Sequence, residues 1–183
     1  MRKSGILLPV SSLPSAYGIG CFSGEAYEFI DKLKAAGQSY WQILPLGPTS
    51  YGDSPYQSFS SFAGNPYFIS LDDLVEDGYL TREDCTSCDF GDNEEYVDYE
   101  KLYKNRFILL RKAYENSHIK DNVEFQSFVL ENKDWLDNYA LYMAVKTHFN
   151  NTCWVEWDED IKLRKPEALK KYQKEYADEV EFY

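Results

Sequence analysis

An α/β chain, with a parallel strand-helix-strand unit near its start and mainly helical structure after it, is the fold class this sequence predicts, on three observations. Gly5 to Val10 is an apolar run bounded by turn residues and reads as a buried strand. Ala26, Phe29, Ile30, Leu33 and Ala36 recur at helical spacing, and Tyr40 to Leu46 is a second buried run. Strand, helix and strand fit within about 45 residues, as in a right-handed crossover that joins two parallel strands.

The first helix has Ser23 as N-cap, Glu25 in its first turn and Gly37 as its stop. The second strand runs into Tyr51 to Tyr67, Y-G-D-S-P-Y-Q-S-F-S-S-F-A-G-N-P-Y. Gly52, Pro55, Gly64 and Pro66 punctuate this stretch, and the prolines push Ser54 and Asn65 out of the α region, so it reads as an irregular binding loop. Parallel α/β folds carry such loops at the carboxyl ends of their strands, which is where this one begins. Tyrosine offers an apolar ring face and a hydroxyl at its rim, the two features a sugar needs. Tyr51 and Tyr56, with Asp53, Ser54 and Gln57 beside them, therefore suit a neutral oligosaccharide. Phe59, Phe62 and Tyr67 are expected to form the loop's own small core.

After Leu71 no clear strand recurs, and the pattern becomes helical. Leu102, Phe107, Ile108, Leu109, Leu110 and Tyr114 predict a helix over 99–116, and a short one follows over 123–131. Trp135, Leu136, Tyr139, Ala140, Tyr142, Met143 and Phe149 form the strongest amphipathic stripe and are read as core. Cys85 to Asp98 is acidic and reads as a solvated connection. Trp154 and Trp157 are expected to pack against the helices. Pro166 opens a last helix, 167–183, with Leu169, Tyr172, Tyr176, Val180 and Tyr183 on one side.

Composition narrows the function. A net charge of -12 without a cluster of Lys and Arg argues against nucleic acid. No stretch has the length of a membrane span, and the apolar run after Arg2 and Lys3 is cut by Pro9, too short for a signal peptide, so a cytoplasmic location is expected. The four cysteines, Cys21, Cys85, Cys88 and Cys153, are expected to be reduced. Cys85 and Cys88 have the spacing of half a zinc site, but no second such pair follows, and His118 and His148 lack ligating neighbours, so no metal is expected.

Two motifs carry a resemblance. G-I-L-L-P-V-S-S-L-P-S-A-Y-G-I-G from Gly5 and Y-W-Q-I-L-P-L-G-P-T-S-Y-G-D-S-P-Y-Q-S-F-S-S-F-A-G-N-P-Y-F-I-S-L from Tyr40 resemble, in order and spacing, the N-terminal part of amylomaltases, the 4-α-glucanotransferase or disproportionating enzymes. D-Y-E-K-L-Y from Asp98 and N-Y-A-L-Y-M-A-V-K from Asn138 follow more weakly.

The resemblance implies the first βα units of a (β/α)8 barrel (1–50), an aromatic glucan-binding loop (51–75), a mainly helical inserted subdomain (76–165) and the start of a helix leading back to the barrel (166–183). It implies a retaining transferase of α-1,4-glucans such as maltooligosaccharides and amylose, with no cofactor. Tyr56 matches an active-site tyrosine and Ser54 a nearby binding residue; Tyr51 and Tyr103 match a second, more remote glucan site. The family's three catalytic carboxylates lie beyond residue 183, so the chain reads as a fragment, inactive by itself. On the residues alone, a carbohydrate-binding module without chemistry and a helical interaction domain whose aromatics are all core remain alternatives. Oligomeric state is not legible.

Overall fold

A computed structural model describes residues 2–50, 52–93 and 95–183. They form two compact units, 1–118 and 119–183.

In the first unit, strands β1 (Gly5–Leu7) and β2 (Tyr40–Gln42) pair in parallel, with Gly5 opposite Tyr40 and Leu7 opposite Gln42. Helix α1 (Gly24–Ala35) makes the crossover. Gly5 is required where the strands meet, because a Cβ there would lie 2.5 Å from the Tyr40 carbonyl oxygen. Ser23 has the extended backbone of an N-cap, but its hydroxyl donates to the Glu25 carboxylate instead of capping the helix. Gly37, at φ 70°, turns the chain out of α1.

Both strands are shorter than the apolar runs, and they are not buried. Ile6 is 41% exposed, Leu7 57% and Tyr40 59%. The physical reason is that the core of this region lies past the strand ends. Val10, Leu13 and Ala26 are buried there, with Leu8, Phe29, Trp41, Leu46 and Phe68 packed around them. The Trp41 indole N–H donates to the Leu8 carbonyl at 2.8 Å, and its ring meets Phe29 edge-on.

Short helices α2 (Leu71–Glu76) and α3 (Arg82–Thr86) follow. The Ser70 hydroxyl caps α2, and Thr81 and Asp84 form a reciprocal capping box on α3. Helix α4 (Tyr99–Ser117) starts at an Asp98 cap and buries Leu102, Arg106, Leu109, Leu110 and Ala113. The stretch before α4 is less solvated than its charge implied. Cys85 is buried, and Phe90 is buried with its ring 6.2 Å from Tyr17. Cys85 and Phe90 turn inward, while Asp89, Asp92, Glu95 and the Tyr96 ring stay in water.

The second unit contains α5 (Val123–Glu131), α6 (Lys133–His148), α7 (Glu159–Lys162), α8 (Pro166–Glu175) and α9 (Ala177–Phe182). Its core joins Leu141, Val145, Trp157, Ile161, Ala168 and Tyr172. Of the residues in the expected α6 stripe only Ala140 is fully buried, with Leu141, Ala144 and Val145 beside it. Small and branched side chains take the closest contacts on α6, and the larger rings are left half-buried at its margins. Trp157 packs as expected, stacked on Phe149 at 5.7 Å, whereas Trp154 is 49% exposed.

The last helix is two helices, broken at Tyr176 (φ -111°, ψ 33°). A four-residue spacing drifts by about 40° per step around an α-helix. The break returns Val180 to the cluster that Leu169 and Tyr172 already face. No described helix is long and apolar enough to cross a membrane.

Candidate functional site

The chain leaves β1 through Pro9, Val10 and Ser11, and leaves β2 through Leu44, Pro45 and Leu46; between these exits lies a narrow cleft. Asp53 and Pro55 from the aromatic loop and Tyr99 from the first turn of α4 complete its wall. Its interior is about 30 Å³, room for a water molecule and not for a sugar ring. A ligand the size of a sugar ring would not fit inside this cleft and could only lie over its mouth.

The described residues from Gly52 to Asn65 form no helix or strand, in keeping with their prolines and glycines. The loop's ends meet where the Asn65 N–H donates to the Leu46 carbonyl at 2.8 Å. It also folds back on its own start, since a Cβ on Gly47 would lie 2.3 Å from the Ser58 hydroxyl. Serines hold its turns. The Ser60 hydroxyl accepts from the Ala63 N–H at 3.0 Å and the Phe62 N–H at 3.2 Å, and Ser58 donates to the Ser60 carbonyl at 2.7 Å. Asn65 caps the 3-10 turn Pro66–Phe68 by accepting from the Tyr67 N–H. The fold of the loop thus rests on short polar contacts.

The rings do not form a common loop core. Tyr67 is buried, but Phe59 is 40% exposed and Phe62 71% exposed. Serine side chains bond the Tyr56, Ser60, Phe62 and Ala63 N–H groups and the Ser60 carbonyl, so local polar contacts hold these turns while the rings stay exposed. Tyr56 is 73% exposed. A reading in which every aromatic is core does not survive these exposures.

Among the other sequence-derived candidates, Ser54 accepts from the Tyr56 N–H at 3.4 Å and its carbonyl accepts from the Gln57 N–H at 3.0 Å. Among the described residues no acceptor takes its own hydroxyl proton. Gln57 is exposed and Asp53 half-buried. Asp53 adopts φ 52°, a left-handed conformation that aspartate tolerates better than most residues. Burial raises its carboxyl pKa, and its charge acts on Tyr67 and Tyr99. The Tyr67 phenol is pushed up to about 12, by burial first and then by Asp53, so it stays protonated as a donor. Tyr103 lies one turn after Tyr99 on α4 and is 55% exposed. Tyr51 lies outside the described residues.

Sequence reasoning missed Tyr99, Thr49, Asn65 and Arg106. Tyr99 was detectable as the residue four before Tyr103 on one helix, and Asn65 as the cap before Pro66. Thr49 and Arg106 gave no such signal; the Thr49 hydroxyl is buried beside the cleft with no hydrogen-bond partner among the described residues. Chemically the site offers ring faces, hydroxyls and Asp53, the one carboxylate on the cleft wall among the described residues. That inventory can hold a neutral polyol and contains no acid/base pair.

The chain is similar to known proteins in sequence and in fold. The family described as 4-alpha-glucanotransferase matches residues 8–183. The 4-alpha-glucanotransferase of Clostridium butyricum is 53% identical over 174 residues, covering 95% of this chain and 36% of that protein. Its counterpart in Streptococcus pneumoniae serotype 4 is 50% identical and covers 100% of this chain and 36% of the relative. Among solved structures, an amylomaltase from Streptococcus agalactiae in complex with acarbose superposes with a TM-score of 0.94 at 41% identity, over 100% of this chain and 37% of that one. The chain spans about a third of the length of these relatives.

Proposed function

Since this chain belongs to the 4-alpha-glucanotransferase family, we propose that it supplies the glucan-holding wall of an amylomaltase, which transfers α-1,4-glucan segments between maltooligosaccharides. The observation that carries the reading is the loop at the strand exits, pinned at Leu46 and Asn65 and presenting Tyr56 to solvent beside Asp53. β1, α1 and β2 are the first units of a (β/α)8 barrel in this proposal. The segment 51–75 is its glucan-binding loop, 76–165 a helical insertion, and 166–183 the path back to the barrel.

Tyr56, Ser54, Asp53 and Gln57 hold the sugar next to the scissile bond. The Tyr56 ring lies against a pyranose face, and the Ser54 hydroxyl and Asp53 carboxylate bind sugar hydroxyls. Tyr51 and Tyr103 contact a more distant part of the chain. Catalysis needs a nucleophilic carboxylate and an acid/base carboxyl about 5 to 5.5 Å apart, with a third carboxylate to steady the transition state. These belong to the part of the family's sequence beyond the matched third. The covalent glycosyl-enzyme is then resolved by the 4-hydroxyl of another glucan instead of water. Neither a metal nor an organic cofactor enters this scheme, and maltodextrin, starch or glycogen breakdown in the cytoplasm is its setting.

The test is disproportionation. The full-length protein incubated with maltotriose should yield glucose together with longer maltooligosaccharides, and residues 1–183 alone should yield neither. Hydrolysis without longer products, or no action on α-1,4-glucans, would overturn the proposal.

A further inference from the structure

Among the described residues, Arg106 is the one charged side chain that is buried, with no exposed surface. α4 carries it inward because it lies four residues after Leu102 and three before Leu109, both buried on the same helix face. Taking a guanidinium out of water is costly and is usually offset by a carboxylate. Here the groups that act on it are Cys21, whose thiol lies within hydrogen-bonding reach, Cys85 and Tyr17, and among the described residues its Nε and Nη1 meet no acceptor of good hydrogen-bond geometry.

What Arg106 does bond is backbone. Its Nη2 donates to the Tyr67 carbonyl at 3.2 Å and also to the Ile69 carbonyl. The intervening Phe68 carbonyl is taken by the Phe22 N–H at 3.2 Å. Three successive carbonyls are thus held, two of them by Arg106, immediately after the Asn65 to Leu46 bond that closes the aromatic loop. The Tyr67 ring, on the same short segment, packs edge-on against Phe107 at 6.1 Å, one residue along α4 from Arg106.

We infer that Arg106 is a positioning residue for glucan transfer: it ties down the Tyr67 and Ile69 carbonyls, fixes the C-terminal root of loop 46–65, and so sets how Tyr56 is presented. This assignment rests on the proposed role of that loop in holding glucan. Without the guanidinium the buried Tyr67 carbonyl and the part-buried Ile69 carbonyl lose their donor, and the cheapest relief is for the root to move toward water. The loop's own turns, held by serines, would stay formed while their platform shifts. Because both bonds come from one nitrogen, a lysine ammonium reaching the same point can make both.

The test is made on the full-length protein, with Arg106→Met, or Arg106→Gln should the first not accumulate in folded form. Hydrogen exchange well below the melting temperature should show the Asn65, Phe68 and Ile69 amides exchanging at least about tenfold faster, with α5 and α6 unchanged. On maltotriose, kcat should fall at least about tenfold with KM changed less, because placement at the reacting sugar matters most in the transition state. Arg106→Lys should restore most of both. A folded Met or Gln variant with native exchange at the root overturns the inference, as does a Lys variant no better than Met. A loosened root with native turnover, while Tyr56→Ala loses turnover, also overturns it and leaves the loop's role standing. Native turnover in both Arg106→Met and Tyr56→Ala removes the loop's role and the inference together.

Discussion

Tyr56 and Phe62, in the loop of the first unit, are 73% and 71% exposed, whereas Trp157 and Tyr172, in the second unit, are each 6% exposed. The side chains are chemically alike, and their surroundings differ in what holds the backbone. In the loop, serine hydroxyls and the Asn65 to Leu46 bond hold the turns, and Tyr56 and Phe62 remain largely exposed. In the second unit the ring contacts are the fold: Trp157 stacks on Phe149, Phe149 on Tyr172, and α6, α8 and α9 converge on them. An exposed ring forgoes roughly 1.5 to 3 kcal/mol of burial. Such rings beside a cleft are the ones to test for ligand contact.

The comparison breaks most sharply at Trp157. Trp157→Ala should destabilise the second unit by about 3 to 5 kcal/mol, because it empties the centre of an aromatic cluster. Urea unfolding measures this, and a loss below about 1 kcal/mol would mean the cluster can collapse around the vacancy.

Tyr56→Ala should do the reverse. Its stability should stay within about 0.5 kcal/mol of native, as for other exposed positions. Its kcat on maltotriose should fall at least about tenfold, equivalent to about 1.4 kcal/mol of transition-state stabilisation. Steady-state kinetics of the full-length variant decide it; an unchanged kcat would leave Tyr56 as ordinary surface.

A smaller effect is expected at Tyr103, half-exposed one turn beyond Tyr99. Tyr103→Ala should weaken long amylose a few-fold and leave maltotriose turnover within about twofold, since a remote contact holds the chain without sensing the reacting sugar. Parallel assays on short and long substrates separate the two tyrosines. Equal losses on both would merge their roles.

The least effect is expected at an exposed ion pair. The Asp84 carboxyl is lowered from 3.8 to about 2, first by the hydrogen bond from Lys112 and then by the Thr81 backbone and side chain. A depressed carboxylate stabilises the fold above its unfolded pKa, and that contribution is lost as pH falls through the folded value. Protection of the α3 amides should therefore hold at neutral pH and decline from pH 3.8 toward about 2. Asp84→Asn should flatten that decline; an unaltered acid profile would show that the pair contributes nothing.

Local chemistry alone determined much of this protein. The apolar runs and helical spacing placed β1, α1 and β2 in order, with the parallel pair that follows from them. Asp98 and Asn122 start α4 and α5 within a residue of where the pattern begins, because a cap is read over three or four neighbours. The loop's irregular course was equally legible, since proline and glycine act on their own dihedrals. Tertiary structure decided the rest. Whether Ile6 and Leu7 are covered depends on which elements stack on them, and a buried run reads the same in either case. Arg106 looks like any helical arginine until Tyr67 and Ile69 arrive from nearly forty residues away with carbonyls to satisfy. The break at Tyr176 has no proline or glycine to announce it; it depends on a cluster assembled from α6, α8 and α9. Burial and pairing over such distances are properties of the packed chain, because each requires a partner that the local sequence does not name.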